Sequence, residues 1–384
     1  MSLFNPDEEP TLDDLRRQID AIDAEVLTLI SRRAEAARDI GQRKERTAAS
    51  FFAPERERQI FEKLAAANAG PLAPDAVRAV FREIISACRA LEAPIRVAYL
   101  GPAGTFSHRA ALSKFGTGSD LMPVDTIPDV FGFVERGQAD YGIVPVENST
   151  EGVVPYTLDM FSKTALKVCA EVFVPVHHHL ATRAEKLTDV KRLYAHPQSS
   201  AQSRAWLREH LPKVEIIEAT SNSKSAQLAA VDSESAAICT DIAAEIYNVP
   251  VIATHIEDSP HNRTRFLVIG QNEPKPSGKD KTSIFFSVRH KAGALMRAMA
   301  AFNAHNINLT MIESRPTKQM PWEYVFFIDL QGHRTDERVQ RALQMLEEQS
   351  LFVTILGSYP EADKSRSHPQ NPANNLLGGG VRGG

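Results

Sequence analysis

The 384-residue sequence predicts a multidomain chain of three successive classes, all-helical, then α/β, then α+β. Three observations carry this. Up to Leu91 apolar residues recur at three- and four-residue spacing without any strand pattern; beyond Ala93-Pro94 short apolar runs alternate with helical stretches; and after a Pro-, Ser- and Gly-containing linker at 271–281 the elements follow in the order βαββαβ. The expected domains are 8–93, 94–272 and 282–360, with a disordered tail at 361–384 rich in Gly, Ser, Asn and Pro.

The first helix is expected over Thr11 to Arg46, with Thr11 as N-cap and Asp13 and Asp14 in its first turn. Its apolar seam passes through Leu12, Leu15, Ile19, Ile22, Val26 and Leu29, meets Arg33, and resumes at Ala36 and Ile40. A guanidinium cannot shed its charge, so on a core-facing stripe it costs several kcal/mol unless an anion or hydrogen-bonding partner meets it. Arg33 is therefore a candidate anion site. Lys44 follows about three turns later on the same face, whereas Arg16 is rotated roughly 100° away and lies about 25 Å along the axis. If Arg16 also serves a pocket, a second copy of the chain must complete it. The bland alternative makes Arg33 a snorkelling or coiled-coil flank residue and leaves Arg16 and Lys44 solvated. Helix two starts at Pro54 after Ala53, and helix three runs from Pro74 to Leu91. One long helix with two short partners encloses a core poorly, which points to an intertwined homodimer.

Strands of the second segment are expected at Arg96–Leu100, Tyr141–Val146, Val168–Val176, Arg192–Ala195, Val214–Ile217, Ala236–Cys239 and Phe266–Ile269. Helices between them are expected at Ser107–Phe115, Pro128–Arg136, Ser200–His210 and Ser225–Val231. In the third segment strands at Thr282–Val288, Ile307–Glu313, Glu323–Leu330 and Phe352–Leu356 enclose helices at Ala294–Ala304 and Glu337–Gln349, the ferredoxin-like order.

A net charge of −4 and a pI near 6.3 give no electrostatic footprint for nucleic acid or an anionic membrane. The acidic start from Met1 to Pro10 has no signal-peptide core and no run of eighteen apolar residues occurs, so a cytoplasmic location is expected. Cys88, Cys169 and Cys239 are odd in number and sit in apolar contexts, as reduced core residues do. Adjacent strand residues face opposite ways, so His177, His178 and His179 cannot all converge on one ion, and no metal is expected from them.

The motif Leu15-Arg16, Ile19, Asp23, Leu29, Arg33, Gly41, Lys44, Pro54, Arg56-Glu57, closed by 81–86, resembles the all-helical chorismate mutase family. Four further motifs resemble prephenate dehydratases: Gly101-Pro102-Ala103-Gly104-Thr105-Phe106-Ser107, Val146-Glu147-Asn148-Ser149, His196-Pro197-Gln198 with Gln202, and Asn262-Arg263-Thr264-Arg265-Phe266. Gly293-Ala294-Leu295, Asn308-Leu309-Thr310 and Glu313-Ser314-Arg315-Pro316 resemble the phenylalanine-binding signatures of an ACT domain. Nearly all of 11–360 thus resembles the bifunctional chorismate mutase–prephenate dehydratase family of phenylalanine biosynthesis.

The resemblance implies that Arg33, Lys44 and Arg56 of one subunit and Arg16 of the other bind chorismate, with Glu57 at the substrate. The rearrangement is pericyclic and needs no acid, base, nucleophile or cofactor; fixed cations hold the dicarboxylate and stabilise the breaking ether oxygen. Glu92 falls where relatives carry a donor to that oxygen, so beside a dianion it should have to be protonated. For the dehydratase the resemblance implies a two-lobed, periplasmic-binding-protein-like fold with the site in its cleft. Thr264 is then the catalytic residue, protonating the departing ring hydroxyl as carbon dioxide leaves. Thr105, Phe106, Ser107, Asn148, Ser149, Gln202, Arg265 and Phe266 become substrate contacts, the 101–107 loop offering helix-start amides to a carboxylate. Arg265 could instead stabilise its loop or form an external ion pair. Gly293, Ala294, Leu295, Asn308, Leu309, Glu313, Ser314, Arg315 and Pro316 become the effector site for feedback by phenylalanine, at the interface of a homodimer or tetramer. Ala53, Ala195 and Lys224 depart from the commoner family residues. Two other readings stand beside this one: a monofunctional dehydratase and a non-enzymatic amino-acid sensor, each with a vestigial dimerising helical domain.

Overall fold

A computed structural model of the protein describes residues 10–47, 52–92, 94–316 and 324–362, with 44–47 by backbone alone. The boundary residue Ala93, the expected strand start Glu323 and the tail beyond 362 lie outside the described residues. Helix α1 (Leu12–Thr47) begins as its cap predicts: Asp14 N donates to Thr11 Oγ1 at 3.3 Å and Thr11 N donates to the Asp14 carboxylate at 3.0 Å. With α2 (Pro54–Ala67) and α3 (Pro74–Ala90) it makes the expected three-helix segment. Its apolar seam is open, from Leu12 at 71% and Ile19 at 57% to Leu29 at 59% exposure. Only Ala37 and Gly41 are buried among its described residues. There α1 meets the end of the α3 turn, so closely that a Cβ on Gly41 would lie 2.9 Å from Glu92 Cα.

The first lobe comprises β1 (Arg96–Leu100), α4 (Phe106–Phe115), β2 (Asp120–Val124), α5 (Ile127–Glu135), β3 (Tyr141–Asn148), β4 (Gly152–Val153), α6 (Pro155–Phe161) and β5 (Lys167–Pro175). The chain then enters a second lobe of β6 (His179–Thr182), β7 (Arg192–Ala195), α7 (Pro197–Gln202), α8 (Arg204–His210), β8 (Glu215–Glu218), α9 (Asn222–Ala229), β9 (Ser235–Cys239), α10 (Asp241–Ile246) and β10 (Val251–Ala253). It returns to the first lobe as β11 (Arg263–Gly270), between β3 and β5 in the sheet order β2-β1-β3-β11-β5. The second sheet runs β10-β6-β9-β7-β8. Two crossings therefore join two α/β lobes, leaving a cleft between them.

Strands β2, β4, β6 and β10 escape the sequence reading, β4 being only two residues long. Edge position explains two of them: β2 and β10 border their sheets, and β2 contains Pro123, which lacks an amide for a ladder on both sides. The helix expected over Ser200–His210 is interrupted at Ser203, where φ is −118°, into α7 and α8.

The third unit is β12 (Asp280–Ser287), α11 (Ala294–Ala304), β13 (Leu309–Pro316), β14 (Tyr324–Gln331), α12 (Glu337–Gln349) and β15 (Phe352–Pro360). Its antiparallel order β13-β14-β12-β15 is ferredoxin-like, with both helices on one face over Phe286, Ile328 and Leu330. The other face packs on the first lobe: Phe285, Phe327, Leu356 and Tyr359 share a core with Val168, Leu267 and Ile269. At Gly357 the approach is so close that a Cβ would lie 2.3 Å from Val168 O, which excludes a side chain.

Candidate active sites

Where β11 begins, at the cleft, its register sets Thr264 opposite Asn148 of β3 and Val174 of β5. Asn148 Nδ2 donates to Thr264 Oγ1 at 2.9 Å and to Asn262 Oδ1 at 2.8 Å. Asn262 Nδ2 in turn donates to Gln202 Oε1 at 3.2 Å, which also accepts from His178 Nε2 at 2.9 Å. Burial pushes the His178 imidazole below its usual range, so its neutral ring is a donor to that amide oxygen. The amide of Asn148 is oriented from its other end, its Oδ1 accepting from Thr150 N and Glu151 N at 2.9 and 3.0 Å. Thr264 Oγ1 thus accepts from a fixed amide, while its own proton goes to no other group among the described residues. That proton is available to a ligand.

The loop ahead of α4 faces the same region. Thr105 is the N-cap, its Oγ1 accepting from His108 N at 3.3 Å, and the amides of Phe106 and Ser107 have no intrahelical acceptor by position. The second lobe holds this loop from outside: Ser223 Oγ donates to Ala103 O, and Thr240 Oγ1 donates to Gly104 O at 2.6 Å. Gly104 has φ +87° and a built Cβ would lie 3.0 Å from Ala243, so glycine is required twice over. Phe106 sets its ring edge-on to His178 at 5.9 Å. Ser149 braces the start of β11, its Oγ accepting from Arg263 N at 2.9 Å.

Arg265 and Phe266 do not face the cleft, which corrects the expected substrate contacts. Arg265, one residue beyond Thr264 on a strand, turns to the opposite face. There it donates to Glu171 (2.8 Å), to Asp329 of the ferredoxin-like unit (2.5 Å) and to Tyr359 Oη (3.0 Å). Lys281 closes the group on Glu171 at 2.9 Å, and all four charged side chains are at most 7% exposed. This is a buried cluster between units, neither a carboxylate site nor an external ion pair. Phe266 is 1% exposed in the first-lobe core beside Phe115 and Val174; a bulge between Arg265 and Phe266 shifts the register there.

In the helical segment Arg33 is half-buried on α1, while Arg56 is exposed in the first turn of α2. Arg16 is exposed and paired with Asp13 at 3.1 Å, and the Lys44 side chain lies outside the described residues. Glu92 sits against α1 at Gly41, within one turn of Lys44. Glu57 is the third correction: its carboxylate pairs with Arg89 at 2.5 Å and Lys114 of α4 at 3.7 Å, tying the helices to the first lobe. Along that junction runs a cleft of about 600 Å³ with Arg58, Arg78, Arg82, Arg109 and Lys114 on its walls.

Gly293 adopts φ +74° as the N-cap of α11, and β13 carries Glu313, Ser314, Arg315 and Pro316 along a sheet edge after Asn308 and Leu309. Ala294 and Leu295 open the helix. Arg315 reaches back to Asp159 of α6 at 3.3 Å, so this motif also touches the dehydratase-like lobe. His178 and Asn262 were missed as site residues; for His178 the signal was the alternation of an extended segment, which turns it to Gln202 while His177 turns to Glu257. All three cysteines are free and buried. Among the described residues no helix is long and apolar enough to cross a membrane.

Comparison with known proteins covers the same three units. Residues 15–93 match chorismate mutase type II, 97–274 prephenate dehydratase and 282–348 the ACT domain. The chain is 46% identical over 355 residues to the bifunctional chorismate mutase/prephenate dehydratase of Aquifex aeolicus, covering 91% of this chain and 98% of that one. It is 44% identical to the protein of the same name from Pseudomonas aeruginosa, covering 91% and 97%. Among solved structures it is similar to the Arthrobacter aurescens prephenate dehydratase in complex with L-Phe, at 36% identity and TM-score 0.65, over 70% of this chain and 90% of that one. Three units in this order, matched end to end by relatives of this identity, place the chain in the bifunctional chorismate mutase/prephenate dehydratase family.

Proposed function

We propose that the protein converts chorismate to prephenate in its helical segment and prephenate to phenylpyruvate in the cleft, under feedback by phenylalanine. The observation that carries the second step is the Thr264 hydroxyl, which accepts from the fixed amide of Asn148 and keeps its proton for a ligand. In that step the ring carboxylate leaves as carbon dioxide, its electron pair enters the ring, and the ring C–O bond breaks. Thr264 protonates the departing oxygen to give water and recovers its proton from solvent. Aromatisation drives the step, so a weak acid held in line suffices. The amides of Phe106 and Ser107 suit a substrate carboxylate.

For the first step, Arg33, Lys44 and Arg56 of one copy grip the folded dianion, and Arg16 enters from a second copy that covers the exposed seam of α1. A site made of fixed cations needs no cofactor. Phenylalanine binds between the Gly293 helix start and the Glu313–Pro316 strand, and its effect reaches Thr264 through Arg265, whose guanidinium touches Asp329 of the regulatory unit. The relative with L-Phe bound supports that effector, and the protein works in the cytoplasm. The test incubates purified protein with chorismate, with and without phenylalanine, and follows prephenate and phenylpyruvate. Both products, with phenylpyruvate suppressed by phenylalanine, are expected; prephenate alone would remove the second activity from this reading.

A further inference from the structure

The two segments that cross between the lobes run side by side, Val176 N donating to Asn262 O at 2.9 Å and Ile256 N to His178 O at 3.0 Å. On them three ligand atoms meet. His177 Nδ1 lies 2.7 Å from Glu257 Oε1 and 3.0 Å from His255 Nδ1, and His255 Nδ1 lies 3.4 Å from the same Glu257 oxygen. Hydrogen bonding satisfies this triangle badly. A proton on His177 Nδ1 serves Glu257 but leaves His255 Nδ1 facing it with a second proton or a lone pair. A proton on His255 Nδ1 leaves the His177 lone pair pressed on the carboxylate. A cation satisfies all three contacts together.

The dimensions fit one. A point equidistant from three atoms separated by 2.7, 3.0 and 3.4 Å lies about 1.8 Å from each. An ion about 1.0 Å out of their plane is therefore about 2.05 Å from every donor, within the roughly 2.0–2.2 Å of zinc–nitrogen and zinc–oxygen bonds. The surroundings are built for a ligand set. The second Glu257 oxygen accepts from His178 N at 2.8 Å, fixing the carboxylate as outer partners of metal ligands do. His255 takes φ +55°, uncommon for a residue with a Cβ, and so turns its ring back to the cluster. His179, two residues from His177 and on the same face, is buried with Nδ1 lacking a hydrogen-bond partner among the described residues, its ring 5.5 Å from that of His255.

We propose that His177, His255 and Glu257 bind a divalent transition-metal ion of the zinc class at the hinge between the lobes. Two imidazoles and one carboxylate select such an ion over magnesium or calcium, which prefer all-oxygen sites. The remaining coordination position opens to water, since His255 is 49% exposed. The triplet itself does not converge; one member does, with two residues from the later crossing. The ion pins both crossings beside His178, whose opposite-facing ring starts the hydrogen-bond chain to Thr264, so its place is positional and not catalytic.

The test uses the full chain, stripped with chelator and titrated with Co²⁺ by visible absorption and with Zn²⁺ by calorimetry. One saturable ion per chain is expected, with affinity at least tenfold weaker in His255→Asn and in Glu257→Gln. Asn adopts the left-handed backbone readily, so His255→Asn keeps the fold, checked by circular dichroism. His210→Ala, which removes a distant exposed imidazole stacked on Trp206, should bind as the parent does. No saturable binding by the parent chain overturns the proposal, and so does equal affinity in His255→Asn. Neither outcome bears on the proposed activities, which are assayed separately.

Discussion

Replacing Arg265 by Met should loosen the ferredoxin-like unit from β11. The cluster holds two cations and two anions, Arg265 and Lys281 against Glu171 and Asp329, and so is neutral as a whole. Arg265→Met leaves one buried negative charge in excess, a loss of about 3–5 kcal/mol for breaking a buried pair from one side. Asp329→Asn leaves one positive charge in excess and should cost a similar amount. The double variant removes one charge of each sign and leaves Lys281 on Glu171. It should therefore cost less than the two losses together, by about 2 kcal/mol or more, near the upper part of the range for directly contacting residues. Burial pushes the Tyr359 phenol well above its usual range, so it stays protonated and cannot supply a missing charge. Urea unfolding followed by circular dichroism gives the stabilities, and phenylpyruvate formation from prephenate against phenylalanine concentration gives the coupling. Arg265→Met should raise the phenylalanine needed for half inhibition while the chorismate mutase rate holds. Additive destabilisation together with an unchanged phenylalanine response would refute both the electrostatic argument and the relay.

Thr264→Val, which keeps the shape and removes the proton, should lower the dehydratase kcat by about 10²–10⁴, the usual worth of a positioned acid, with the mutase rate unchanged in a coupled assay. Burial holds the His108 imidazole below its usual range, and its Nδ1 accepts from Gly104 N at 3.0 Å. Below about pH 6.5 the unfolded chain takes the proton first, so the stability His108 contributes is full above that pH and falls as pH drops toward the lower folded value. His108→Asn keeps an acceptor that does not titrate and should flatten the acid limb of stability, which urea unfolding across a pH series measures. Ile22→Glu, in the middle of the exposed seam, should leave a monomer by sedimentation, abolish mutase activity and spare dehydratase activity.

The uneven legibility of the sequence has a physical origin in which interactions are local. The seam of α1 could be read because a 3.6-residue period repeats from Leu12 to Ile40, and the cap at Thr11 because a cap needs only its own next turn. Glu57 could not be read in the same way. Its motif places it at a substrate, yet Arg89 and Lys114 claim it from 32 and 57 residues away, and only the packing of α3 and α4 brings them together. The Thr264-Arg265-Phe266 run is the instructive case. Motif adjacency suggested one site, and the strand expected from the sequence began only at Phe266; β11 in fact starts at Arg263, so Thr264 and Arg265 face opposite ways and serve two environments. What the period could not supply was the identity of the second environment, since Asp329 lies 64 residues further on in another unit. A strand with the Thr264 hydroxyl, the acid of the proposed reaction, on one face and an inter-unit ion cluster on the other connects the two mechanically. A small shift of β11 demanded by the regulatory sheet must move Thr264 relative to the amide of Asn148, which sits 2.9 Å away on the neighbouring strand. On the proposed reading, Arg265 links the two sites, joined to Asp329 of the regulatory unit by an ion pair and to Thr264 by a peptide bond.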